Sequence, residues 1–600
     1  MLEDRTVLSP LLVSNTHDSG PGSLRAAVTA ADASPGSTID FAPGLHGTIR
    51  LTSGDLPVSA SVTIDGPGQN KLAVSGTGAS RIFDISGSAN VSISGLTITD
   101  GLATSGGGIL VEDSAALTLC ASTLTGNEAL GNASGAGYGG GIEDSSTAPL
   151  TVNNCAFYNN TALAVGANDP IGGPDYIFAA GGAIDLNLFT TGSATITDST
   201  FTGNEALGDS PGASAGGGAI SNSSVLGTTL TVTGCTISGN SAIGEAGGDG
   251  VNNFSSGQGG GINCISGLTL SNSTITDNLA LGEPMAAGAV PSQTVSSGSA
   301  VAGGGVFCLD LGSGAVSIAD TVVAGNQATG GAGAAGVSGV AGGAGSAGSV
   351  GEGGGISLVF VSSGVVTGCT IYDNVAQGGA GGAGAAGALG GVGGPGASGG
   401  IDLALGSSVT VSNTILIGNQ AIGGAGGNGS KGADGVGGGI NVGTGAVYAV
   451  GDTDDCSLTL SNCVFVGNQA IGGAGGSSNN GGDGLGGGVA VLAGSSADIA
   501  TSAFNANQAQ GGTGGADGNG GNGFGGGLYN AASATLTLTA CAVTGNNADG
   551  GAAGAGGTAG QGVGGGVYSL GTFSFDVFTV IKGNRASTRN NNIFGAYTVT

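Results

Sequence analysis

The chain has 600 residues, of which 136 are glycine, none is tryptophan and only 8% are charged. Long helices need more Glu, Lys and Leu than this, which excludes a helical protein, while 39% apolar residues and a positive mean hydropathy exclude simple disorder. Nine basic residues against 38 acidic ones give a net charge of −29, a surface that repels nucleic acid and anionic headgroups, so no nucleic acid partner is expected.

In chain order, residues 1–10 form a separate segment in which Leu2-Glu3-Asp4-Arg5 resembles a short stretch near the start of large exported bacterial proteins. Residues 11–100 are expected to hold an N-terminal cap and the first coils. Within them, Ser23-Leu24-Arg25-Ala26-Ala27-Val28 predicts a helix that covers an open sheet end, because an uncovered end would template aggregation. Strands are expected around Ile49, Val62, Leu72, Ile82, Val91 and Leu96. No run is long and apolar enough to predict a transmembrane span.

Residues 101–600 repeat. A Gly-Gly-(Gly/Ala)-aliphatic block ends at Ile109, Ile142, Ile184, Ile220, Ile262, Val306, Ile356, Ile401, Ile440, Val489, Leu528 and Val567. Each block is followed by an alternating segment closing on Asn127, Asn160, Asn204, Asn240, Asn278, Asn326, Asn374, Asn419, Asn468, Asn507, Asn546 or Asn584. Three positions before the Asn the residue is always large and apolar, as at Phe157, Phe201, Phe465 and Phe504; five before, it is always small, as at Cys155 and Ser199. An offset of two puts both columns on one strand face.

Three short strands per repeat, none able to bury its apolar face alone, predict an all-β, right-handed parallel β-helix with Gly-rich loops along one edge. Its expected length is about 14 coils, or roughly 70 Å at about 4.8 Å per strand. The Asn column reads as a structural ladder, since Asn suits a sharp corner and stacked amides hydrogen-bond from coil to coil. The constant step from Asn419 to Gly437, Asn468 to Gly486, Asn507 to Gly525 and Asn546 to Gly564 predicts ordered loops laid side by side. Five cysteines, 155, 235, 369, 463 and 541, fall in the inward small column as buried thiols; Cys456 with Cys463, or Cys264 with Cys308, are the pairs left open. The pieces Gly247 to Gly250 and Gly481 to Gly484 keep calcium open as a ligand without matching a known calcium spacing; otherwise no cofactor is expected.

The two motifs, intact at Gly217-Gly218-Ala219-Ile220 and Phe201-Thr202-Gly203-Asn204, resemble the repeat of the polymorphic outer-membrane protein family. Asp18-Ser19-Gly20-Pro21-Gly22-Ser23-Leu24-Arg25 is similar to the start of secreted bacterial β-helix proteins of the pectate-lyase-like superfamily. The resemblance implies a monomeric structural or adhesive rod, extracellular or on the outer cell surface, that binds a surface protein or glycan without catalysis. The alternative is a polysaccharide-degrading enzyme of the same superfamily, a glycoside hydrolase or a lyase. Against a lyase, which needs a cationic group, the only Lys or Arg from Ile82 to Ile581 is Lys431, and both histidines, His17 and His46, lie in the cap region. A hydrolase needs two carboxylates, for which Asp185, Asp310 and Asp402 are candidates. Read as solvated strand positions these have no such role, so no catalytic, cofactor-binding or metal residue is assigned at this level.

Overall fold

The computed structural model describes residues 10–131, 135–165, 178–187, 192–209, 213–224, 227–245, 256–285, 301–310, 314–338, 343–443 and 455–600. The segment 1–9 and the Gly247–Gly250 piece lie outside them. One turn of the chain shows why the repeat folds as it does. From the Gly-block strand Ile184–Leu186 the chain runs through Ala194–Thr197 and Thr200–Thr202 to the ladder residue Asn204, then through Glu205–Gly208 and Ser214–Gly216 to the next block. Each of these strands pairs in parallel with its equivalent one turn later, Ile184 with Ile220 and Phe201 with Ile237. Stacking builds five parallel sheets, of 15, 17, 15, 13 and 11 strands in that order along the turn.

Three sheets were expected, and the structure adds two. The fourth, after the Asn, carries a column of buried alanines such as Ala162, Ala206 and Ala242; the fifth has strands of two or three residues, as short as Gly257–Gln258. Both lie in what the sequence presents as loop. The Gly block itself is shaped by the fourth sheet: Gly217 has φ +66°, and a Cβ on Gly218 would come within 2.6 Å of the Ser241 backbone nitrogen.

The apolar columns meet in one continuous core running the length of the rod. Phe157 stacks on Phe201 with ring centroids 4.7 Å apart, and Phe465 on Phe504 at 4.6 Å, all four rings fully buried. Removing each such ring from water stabilises the fold by about 1.5–3 kcal/mol. Along one corner, every ladder Asn from Asn127 to Asn546 donates Nδ2 to the Oδ1 of the next at 2.9 Å.

The N-terminal end is covered by the helix Leu24–Asp32, capped by the Ser23 side chain, which accepts from the Ala26 N–H; the helix buries Leu24, Ala27, Val28 and Ala31. At the other end the last strands, Ile593–Phe594 and Thr598–Val599, extend two sheets and leave Val577 and Phe578 in solvent. Among the described residues no helix is long and apolar enough to cross a membrane.

The Gly-rich segments form a layer of their own. Gly379 and Gly382 donate to Ser349 and Ser346, Gly424 and Gly427 to Gly394 and Gly391, and Gly473 and Gly476 to Ala433 and Ser430, at 2.7–2.8 Å. Bonds at every third residue follow the period of a polyproline II-type chain. A Cβ on Gly427 or Gly476 would collide with a backbone carbonyl of the neighbouring segment, Gly382 or Gly427, which is why glycine recurs there.

Candidate functional site

The middle residue of each Gly-block strand points away from the core, and these residues form a column in register: Asp84, Leu110, Glu143, Asp185, Ser221, Asn263 and onward through Ser357, Asp402 and Asn441. A face pointing outward should be wet, yet Glu143 is 4% exposed, Asp185 0% and Asp402 1%. The reading of Asp185 and Asp402 as solvated positions is therefore corrected. The cause is the fifth sheet, which folds back over this face: a Cβ on Gly216 would meet Asn263 Nδ2 at 2.7 Å, so the last residue of each fifth-sheet strand faces the column. By register that position is Tyr138 in the earliest such strand and Glu352 further along. Asp310 follows its strand, outside the column, and is likewise buried at 6% exposed, so its reading as a solvated position is corrected too; it accepts from the Gly314 N–H at 3.2 Å.

The densest group of acids lies under Tyr138. Glu143 and Asp185 are register partners on adjacent strands. Asn187 Nδ2 donates to Glu143 Oε1 at 2.8 Å, and Ser223 Oγ to Asp185 Oδ1 at 3.0 Å, while Glu143 Oε2 and Asp185 Oδ2 are buried with no hydrogen-bond partner. Burial, then the neighbouring Glu143 charge, pushes the Asp185 carboxyl up to about 8. Glu143 is also raised by burial, opposed by hydrogen bonds from Ser105 and Asn187 and by the charge of Arg81. Two adjacent buried carboxyls so placed each disfavour ionisation of the other. Burial, with the same two acids, pushes the Tyr138 phenol to about 12, which keeps it neutral.

Arg81 was missed because it sits one residue before the cation-poor stretch. Its guanidinium lies 3.4 Å from Asp84 and donates to the Ser105 and Gly106 carbonyls at 2.9 and 3.0 Å. The argument that the rod lacks a cation therefore fails at its first coils. Of the two Gly-Gly-Asp-Gly pieces considered for calcium, the described one has its Asp483 Oδ1 occupied by the backbone N–H and side-chain Nδ2 of Asn522, at 2.6 and 3.1 Å. Among the described residues no three His, Cys, Asp or Glu cluster as metal ligands. All nine cysteines are free thiols, and Cys264 and Cys308 are register partners.

The family model described as "right handed beta helix region" matches residues 74–258. The rod is a right-handed parallel β-helix. No curated protein sequence matches the chain. Solved structures with a similar trace include the periplasmic alginate epimerase AlgG, at 11% identity over 76% of this chain and 79% of that one, TM-score 0.30. Others are the Azotobacter vinelandii mannuronan C-5 epimerase AlgE4 A-module (9%, 80% and 90%, TM-score 0.27) and a mannuronic acid specific polysaccharide family 6 lyase from human gut microbiota (8%, 82% and 87%, TM-score 0.23). The expectation of a structural or adhesive rod without catalysis is corrected on this finding, because these neighbours are enzymes of polysaccharides and side with the alternative. The likeness is one of fold, and the chemistry below rests on this chain's own side chains.

Proposed function

We propose that this chain is a polysaccharide-modifying enzyme whose chemistry is carried by Glu143 and Asp185. The observation that supports it is the pair of unpartnered carboxyl oxygens on adjacent strands, Glu143 Oε2 and Asp185 Oδ2. Parallel neighbours lie about 4.8 Å apart, close to the about 5–5.5 Å between the two carboxyls of a retaining glycosidase. In that reading Asp185, protonated at neutral pH, gives its proton to the leaving glycosidic oxygen, and the Glu143 carboxylate attacks the anomeric carbon. Water then releases the glycosyl–Glu143 ester, with Asp185 as base. Asn187 and Arg81 favour the ionised form of Glu143, which separates the two roles. Tyr138 lies over the pair, so a sugar reaches it by displacing that ring.

The glycan takes the partner role expected from the sequence, and an extracellular or outer-surface location belongs to the same proposal. So does kinship of the repeat with the polymorphic outer-membrane protein family, supported by the register of the Gly217–Ile220 and Phe201–Asn204 motifs. The test is release of reducing ends from a panel of neutral and acidic polysaccharides by the purified chain. Asp185→Asn and Glu143→Gln should each lower the rate by about 10²–10⁴-fold. Release from no polysaccharide, or equal release by both variants, refutes the proposal.

A further inference from the structure

Just before the Glu143–Asp185 pair the cover over the Gly-block sheet runs out. The fifth sheet begins at Gly137–Tyr138, and one turn earlier it thins to a single bridged residue, Ser105. In that opening the outward column carries Asp84, two strands or about 9.6 Å from Glu143, and Glu112 and Asp113 follow the strand between them. Asp55 joins them through Arg81, whose guanidinium lies 3.4 Å from Asp84 and 3.9 Å from Asp55. We propose that this acidic opening selects a glycan of amino sugars, whose ammonium groups bind along Asp84, Glu112 and Glu143, and turns away polyuronates, a selection that rests on the glycan chemistry proposed for the pair and names its substrate class.

Charge is the first support. Four carboxylates meet one cation, and that cation is engaged: Arg81 Nε and Nη2 donate to the Gly106 and Ser105 carbonyls, while Nη1 faces the two aspartates. Arg25 reaches the Gly54 and Asp55 carbonyls nearby but is ion-paired with Asp18 at 2.8 Å. Burial raises the Glu112 carboxyl, and the Asp84 and Asp113 charges raise it further. A uronate chain would add like charges where no guanidinium is left to receive them, which is how a site rejects a wrong partner. Hydrogen bonding is the second support. Asp84 Oδ1 and Glu143 Oε2, in one column, are buried with no hydrogen-bond partner, and Glu143 is only 4% exposed. An ionised carboxylate only accepts, so its complement is a group that donates: an ammonium has three N–H donors and no acceptor, whereas a uronate carboxylate brings acceptors alone. Sugar hydroxyls donate without charge, so a neutral glycan binds more weakly than an amine but is not repelled.

The experiment is calorimetric titration of the full chain carrying Asp185→Asn, which leaves a bound sugar uncut. The probes are short oligosaccharides of glucosamine, of N-acetylglucosamine and of a uronic acid, at physiological ionic strength and on the acid side of neutrality, where the sugar amine is charged. One saturable site is expected for glucosamine, about tenfold or more tighter than for the N-acetylated form, with no saturable heat from the uronate. Asp84→Asn and Glu112→Gln, added singly, should each weaken the glucosamine site by about threefold or more and leave the N-acetylated sugar unchanged. Asp498→Asn, an exposed acid on another sheet, should change neither, which separates the opening from general attraction of a polycation to an acidic rod. Uronate binding as tight as glucosamine, equal binding of the two glucosamine forms, or a glucosamine affinity unmoved by Asp84→Asn and Glu112→Gln overturns the proposal. A wild-type chain that binds glucosamine in this way yet releases no reducing ends from its polymer refutes the role of the pair and upholds the selection; release from polyuronates alone refutes the selection and upholds the pair.

Discussion

Truncating one rung of the asparagine ladder probes the stacking directly. Asn278 sits mid-rod and is 1% exposed. Its Nδ2 donates to Asn326 Oδ1 at 2.9 Å and to the Ile237 carbonyl at 3.0 Å; its Oδ1 accepts from Asn240 N and Nδ2 at 3.0 and 2.9 Å. Asn278→Ala removes all four bonds. Asn326 Oδ1 keeps the Asn278 backbone N–H and Asn240 Nδ2 keeps the Phe201 carbonyl, but the buried Asn240 N–H loses its acceptor. One orphaned buried donor costs about 1–3 kcal/mol and each of the other three bonds about 0.5–1.5 kcal/mol, so the expected loss is about 2.5–7.5 kcal/mol. Urea unfolding followed by circular dichroism reads the total, and hydrogen exchange at the Asn240 amide reads the orphan. In a rod whose coils couple to their neighbours, protection should fall first around this turn. At the end of the ladder Asn584 Oδ1 accepts from Asn546 N and Nδ2 at 2.9 Å and its Nδ2 donates to the Val543 carbonyl at 2.9 Å and to Asn592 Oδ1 at 3.2 Å, so Asn584→Ala orphans the Asn546 N–H and should cost a similar amount. A loss under about 1 kcal/mol for Asn278→Ala, with Asn240 still protected, would refute the ladder as a source of stability.

Four further outcomes are expected. Folding raises the Asp185, Asp402 and Asp144 carboxyls to about 8, 7 and 6 from 3.8, so their contribution to stability is whole below pH about 4 and lost as pH climbs through those values. The thermal midpoint should therefore fall between pH about 4 and about 8, and Asp185→Asn should flatten that slope; a midpoint rising over this range contradicts it. Gly476→Ala puts a methyl group into the Gly427 carbonyl and should destabilise the Gly-rich layer by about 1–3 kcal/mol, seen as faster hydrogen exchange at Gly473 and Gly476; unaltered exchange would count against the packed layer. Tyr138→Phe should keep glycan-cleaving activity within about threefold, since a phenol held at about 12 is a cover and not the base; a loss of about 10² or more would make the hydroxyl catalytic. Under mild oxidation Cys264 and Cys308, neighbours in register about 4.8 Å apart, should be the pair lost from a count of nine thiols, and Cys308→Ser should abolish the loss; loss of any other pair contradicts the register.

The repeat makes the core legible. Columns such as Phe157, Phe201, Phe465 and Phe504 appear in sequence as fixed offsets from an Asn, and stacking equivalent strands turns each offset into a line of contacts along the rod. The outer face was misread for a specific reason. Strand alternation correctly sends Glu143, Asp185 and Asp402 outward, but the strands that bury them, such as Gly137–Tyr138 and Gly435–Val436, are two residues long and have no periodicity to read. Their presence depends on the Gly-Gly turn after them, which brings the chain back against the fourth sheet. Glu143 was passed over because no other Gly-block strand carries Glu at that position, and Arg81 because it falls just before the repeats. One cue was available: Glu143 and Asp185 hold equivalent positions in consecutive repeats.

The most direct measurement is the anomeric configuration of the first product released from a susceptible glycan, followed by proton magnetic resonance before mutarotation. Carboxyls one strand apart predict a reducing end of retained configuration. An inverted product, an unsaturated end formed by elimination, or no product from any glycan would contradict the assignment of Glu143 and Asp185 as nucleophile and acid.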